Sequence, residues 1–117
     1  MKKDNIVQIK SYAFAIRIIK THQFLCENKK EFVLSKQLLR CRTSVGANIE
    51  EAIGAQSDKD FYAKPTIAYK EARETHYWIR LLKDTDYLTV EEYKSLLKDI
   101  DELLRIIGSI QKTLRNS

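Results

Sequence analysis

The sequence predicts an all-α protein, an antiparallel up-down-up-down four-helix bundle built as a single domain over residues 1–117. Three observations carry this. The 117 residues include only 3 Gly and 1 Pro, too little turn punctuation for a β-sandwich or a doubly wound sheet. Apolar residues recur at alternating steps of three and four, which is the period of a helix face. Short polar joints at 28–31, 56–58 and 84–88 separate the apolar segments, and joints this short force successive helices to run antiparallel. With 44% hydrophobic and 32% charged residues the chain is too apolar to be disordered. No run reaches the ~20 apolar residues of a membrane span, so a cytoplasmic protein without membrane contact is expected. Cys26 and Cys41 are too few for a disulfide framework and are read as core filler.

Helix 1 shows a loose seam of Ile9, Ala13, Ile16, Gln23 and Cys26, with Phe14, Ile18 and Leu25 lying off it. Helix 2 carries Leu34, Leu38, Cys41, Val45, Asn48 and Ala52, with Gly46 inside it and Gly54 at its end. Helix 3 follows the candidate cap Ser57-Asp58-Lys59-Asp60 and places Phe61, Pro65, Ala68, Ala72, Thr75, Ile79 and Leu82 on one face. Pro65 removes a backbone donor and crowds the preceding turn, so a bend is expected near residues 61–65. Helix 4 opens on a capping box at Thr89 and Glu92 and runs through Val90, Tyr93, Leu97, Ile100, Leu104, Ile107, Gln111 and Leu114. It also carries a second apolar stripe, Leu96, Leu103, Ile106 and Ile110. That is more apolar surface than a monomeric bundle needs, and the stripe is expected to form the interface of a symmetric homo-oligomer.

The net charge of +5 is localised. Residues 1–30 hold seven Lys/Arg against Asp4 and Glu27, and the remaining residues balance to zero. Lys10, Arg17 and Lys20 are spaced by seven and three and share one face of helix 1, while Lys36, Arg40 and Arg42 crowd the first half of helix 2. An oligomer repeats such a face around its axis, and repeated cations attract phosphate backbones through counterion release. These six residues are the expected phosphate contacts. Helix 3 offers a second surface, Lys70, Arg73, Tyr77 and Arg80 with Tyr69 and His76 at its flank. There Glu71 and Glu74 interleave, and ion pairs one turn apart are the commoner explanation of such a mixture.

Catalytic and cofactor signatures are missing. Neither His22 nor His76 follows a Glu by three residues, so the di-iron pattern of helical bundles fails and no metal or other cofactor is expected. Phosphate-binding glycine loops, GxSxG, HExxH and CxxC are all absent. A cysteine on a helix seam is more often packing than nucleophile, and no enzyme is expected. Asn48 falls at a core position of helix 2 with Glu51 one turn on, and a polar group there requires partners, with Glu71, Glu74 and Thr75 of helix 3 available. A buried polar layer of this kind sets register or oligomer state.

The run Arg40-Cys41-Arg42-Thr43-Ser44-Val45-Gly46-Ala47-Asn48-Ile49-Glu50-Glu51-Ala52 resembles the helix 2 signature of a four-helix bundle family first noticed in open reading frames inside intervening sequences of bacterial 23S ribosomal RNA genes. Arg40, Ser44, Asn48, Ile49 and Glu51 match it, and Ala52 stands where the family usually has Gly. Residues 61–82 resemble the family's third helix, with Glu74 at its acidic position. The resemblance implies a cytoplasmic bacterial protein without enzymatic activity, often a ring-shaped homopentamer. Related members serve diversity-generating retroelements, where a basic barrel engages RNA and a reverse transcriptase. Charge and resemblance together lead to a non-catalytic, homo-oligomeric RNA-binding accessory protein. The alternative is a scaffold that binds a partner protein through its apolar helix faces.

Overall fold

The computed structural model describes residues 2–55 and 57–116, with the side chains at 2–5, 42, 43 and 60 outside the description. The described residues form four helices: α1 (Lys2–Asn28), α2 (Leu34–Ile53), α3 (Asp58–Asp84) and α4 (Val90–Arg115). Their ends have local causes. After α1 the chain turns at Lys30, whose φ of 54° lies in the left-handed region, and the amides of Lys29 and Glu31 both bond Leu25 O. After α3, Asp86 adopts φ 68°, and bonds from Asp86 N to Lys83 O and from Tyr87 N to Leu82 O satisfy the last carbonyls in a Schellman arrangement. α4 begins on the capping box: Glu92 N donates to Thr89 Oγ1 (3.1 Å) and Thr89 N donates to Glu92 Oε1 (2.9 Å). α3 begins directly after Ser57, whose carbonyl accepts Phe61 N, and it continues through Pro65 as one helix.

The start of α2 is held by a residue that the sequence reading passed over. The carboxylate of Glu31 accepts the amides of Val33 (3.1 Å), Leu34 (2.8 Å) and Ser35 (2.7 Å), and Ser35 Oγ returns a bond to Glu31 O. These donors are the orphan amides of a first helical turn. Burial pushes the Glu31 carboxyl up, but the bonds from Leu34, Ser35 and Val33 outweigh it and hold the group below the ordinary carboxylate range. A depressed folded pKa contributes stability that is present above the unfolded value and lost as pH falls through the folded one. Glu31→Gln is therefore expected to cost about 1–2 kcal/mol at neutral pH. The gap to wild type should close on acidification below about pH 4. Urea unfolding at the two pH values checks this, and a gap independent of pH overturns it.

Cross-helix contacts fix the directions. Gln8 Nε2 reaches the Glu50 carboxylate while His22 meets Ser35 O, so α1 and α2 run in opposite senses. Arg40 meets Glu74 while Lys64 meets Glu51, His76 meets Asp101 while Gln111 meets Thr66, and Lys10 meets Glu102 while Arg17 meets Asp99. Every sequential pair, and α1 with α4, is antiparallel. Packing joins α1 to α2, α2 to α3, α3 to α4 and α4 to α1, and the α1–α4 seam is the sparsest. The bundle measures 46 × 21 × 19 Å.

The core combines Val7, Phe14, Ile18 and Leu25 of α1 with Leu38, Cys41, Val45 and Ile49 of α2, Ala68, Ala72, Thr75, Ile79 and Leu82 of α3, and Leu96, Ile100, Leu103, Ile107 and Ile110 of α4. This corrects two expectations. The α1 seam is inverted: Ile9 (69% exposed), Tyr12 (68%) and Ile16 point outward, and Phe14, Ile18 and Leu25 point in. In α4, Leu96, Leu103 and Ile110, expected at an oligomer interface, lie within the chain's own core, with Leu103 only 1% exposed. Ile106, half-buried, lines a shallow groove of about 190 Å³ with Ile6, Arg105 and Ser109. The physical reason is the width of the apolar arc: α4 packs against α3 and α1 at once, and a helix with two neighbours buries a third heptad position.

Candidate nucleic-acid interface

Three of the six cations expected to contact phosphate pair with carboxylates on a neighbouring helix. Lys10 Nζ is 2.8 Å from Glu102, and its hydrogen bond is the main cause holding that carboxyl below the ordinary range. Arg17 donates to Asp99 (2.6 Å), Ser95 O (3.1 Å) and Ser95 Oγ (2.5 Å). Both residues clamp the α1–α4 seam. Arg40 crosses the opposite seam, pairing with Glu74 and approaching Glu71 at 3.7 Å. Lys20 and Lys36 are exposed, and Arg42 lies outside the described side chains.

The expected polar layer also separates. Asn48 Nδ2 donates to Ser44 O (2.6 Å) within α2, Glu51 pairs with Lys64 at the surface (3.2 Å), and Glu74 accepts from Arg40 and from Trp78 Nε1. What forms between α2 and α3 instead is a cluster of Arg40, Cys41, Glu71 and Glu74. The thiol and the two carboxylates present donor atoms within 4.8 Å of one another, and the Arg40 guanidinium supplies the cation that they call for. Burial, and then the charge of Glu74, push the Cys41 thiol up to about 11. A thiol held there is protonated at neutral pH and is a poor nucleophile.

The direction of Glu71 and Glu74 decides the charge of α3. Between Phe61 and Arg80 they are the helix's only acids, and both turn toward Arg40 of α2. The opposite face is left cationic and aromatic. Lys59, Tyr62, Thr66, Lys70, Arg73, Tyr77 and Arg80 follow one another at steps of three and four, and all are exposed. This stripe spans about 32 Å at the helical rise per residue. Among the described residues no carboxylate pairs with Lys70, Arg73 or Arg80. The Arg80 guanidinium sits 5.8 Å from the Tyr77 ring centroid. At the flank, His76 Nε2 lies 3.3 Å from Asp101. Burial draws the imidazole below its ordinary pKa, Asp101 opposes the shift and Arg80 and Arg73 reinforce it. The sequence signal for this stripe was present in the spacing. What it lacked was the knowledge that Arg40 claims both acids.

The 23S rRNA-intervening sequence protein family matches over residues 3–109. Among solved structures, a protein of unknown function from the S23 ribosomal protein family of Bacteroides thetaiotaomicron is 52% identical, with a TM-score of 0.92 over 94% of this chain and 98% of that one. No curated protein matches. Helix order, signature residues and these matches agree, and the chain belongs to the 23S rRNA-intervening sequence protein family.

Proposed function

We propose that the protein is a non-catalytic, homo-oligomeric accessory protein of the cytoplasm that binds RNA through the outer face of α3. The observation that carries this reading is the row of Lys70, Arg73 and Arg80, which pair with no carboxylate among the described residues and whose neighbouring acids are occupied by Arg40. Self-association through the outward stripe of α1, Ile9, Tyr12 and Ile16, would cover three of the exposed large apolar side chains of that helix and repeat the α3 face around an axis. The homopentamer implied by the family resemblance is the assembly to look for, and a reverse transcriptase is the protein partner that the same resemblance implies. The raised Cys41 thiol favours a binding role over a catalytic one.

The test is a salt titration of RNA binding, comparing wild type with the Lys70/Arg73/Arg80→Glu triple variant. Three phosphate contacts contribute a slope of about 2 in log affinity against log salt for a single strand. The variant should lose that slope, with affinity falling at least about a hundredfold at low salt. Equal binding by both proteins overturns the assignment to α3. The same α1 stripe would serve the alternative, a scaffold for a partner protein, and there binding would hardly respond to salt.

A further inference from the structure

We infer that the α3 stripe selects an unpaired strand over a duplex, an inference that rests on the RNA-binding reading above and adds to it the class of strand. Two tyrosines stand in the row of cations. Tyr62 and Tyr77 are each 48% exposed and, fifteen residues apart, lie about 22 Å from one another along the helix. Lys70 and Arg73 fall between them and Arg80 just beyond. Each ring is braced by an edge-on neighbour: Phe61 against Tyr62 at 5.9 Å and 82°, Trp78 against Tyr77 at 5.1 Å and 72°. The Arg80 guanidinium also lies over the Tyr77 ring, and a half-exposed ring already held by its neighbours gives up little freedom when a base stacks on it.

Charge and stacking pull in opposite directions. Counterion release alone favours a duplex, because its charge density is higher and each neutralised phosphate is worth more than on a single strand. A duplex, however, keeps its base faces buried against one another. Tyr62 and Tyr77 therefore gain a partner only from unpaired nucleotides, whose bases stack on aromatic side chains without regard to sequence. Cations interspersed with half-exposed rings fit a strand that offers both its phosphates and its bases.

A short oligouridylate and an RNA duplex of equal length separate the possibilities when both are titrated with the full chain. Wild type should bind the single strand more tightly. Tyr62→Leu and Tyr77→Leu should each weaken that binding by about tenfold, leave duplex binding unchanged and so reverse the preference. Tyr77→Phe keeps the ring and should behave as wild type. Tighter binding of the duplex, or leucine variants that weaken both probes alike, overturns the strand selection while leaving a charge-based RNA interface intact. If neither probe binds in a salt-dependent way, the RNA reading falls together with it.

Discussion

Leu103→Ala is expected to lower the unfolding free energy by about 3–4 kcal/mol, the range for removing a well-packed leucine from a core that relaxes only in part. Leu103 is sealed inside the chain with Ile100 and Ile107 on its own helix and Ile18 on α1 in the same cluster. The lost side chain forfeits both its transfer from water and its contacts around the cavity. The contrasting experiment is Ile9→Ser with Ile16→Ser on the outward face of α1. Substitutions of exposed residues usually alter a chain's own stability by no more than about 0.5 kcal/mol, yet this pair should reduce the light-scattering mass if α1 is the contact surface. Denaturant unfolding of Leu103→Ala and the mass of the serine pair are read separately. An unchanged midpoint with a reduced mass for Leu103→Ala would return the interface to α4.

The four helices differ in how legible they were. α4 could be read at its start, because Thr89 and Glu92 are a local device that depends on nothing outside their own turn. α2 and α3 could be read along their buried faces, where Leu38, Cys41, Val45 and Ala52, and Ala68, Ala72, Thr75, Ile79 and Leu82, are the residues enclosed. α1 could not be phased. Ile9, Ala13 and Ile16 recur at helical spacing, and so do Val7, Phe14, Ile18 and Leu25 on the other side. Periodicity fixes the pitch of a helix and leaves open which of two apolar faces meets the core. Glu31 was hidden for a different reason: a carboxylate that caps by accepting three amides stands before the helix and outside the usual Ser, Thr, Asp or Asn pattern.

The site was illegible for a third reason, which concerns partners. On sequence spacing alone, Lys10, Arg17 and Lys20 look as free as Lys70, Arg73 and Arg80. Asp99 and Glu102 lie more than eighty residues from Arg17 and Lys10, and only the fold brings them within 2.6 and 2.8 Å. The acids that appear to neutralise α3, Glu71 and Glu74, are drawn across the seam in the same way. One arginine thus has two effects. It ties α2 to α3, and it strips the outer face of α3 of its counter-charges.

Arg40→Met tests both effects. The two carboxylates share one guanidinium, and the Glu71 side chain is only 19% exposed, so removing the cation leaves like charges side by side at a poorly solvated position. Breaking a fully buried pair costs about 3–5 kcal/mol. Here Arg40 is half exposed and water screens part of the loss, which sets the expectation nearer about 2 kcal/mol at neutral pH. Adding Glu71→Gln to Arg40→Met should recover a large part of the loss, with a coupling of at least about 1 kcal/mol between the two positions. In the single variant, freed acids beside the stripe should also weaken RNA binding although no contacting cation has been touched. Additive effects in the double variant would mean that Arg40 contributes packing through its stem and that the charge of α3 is set elsewhere.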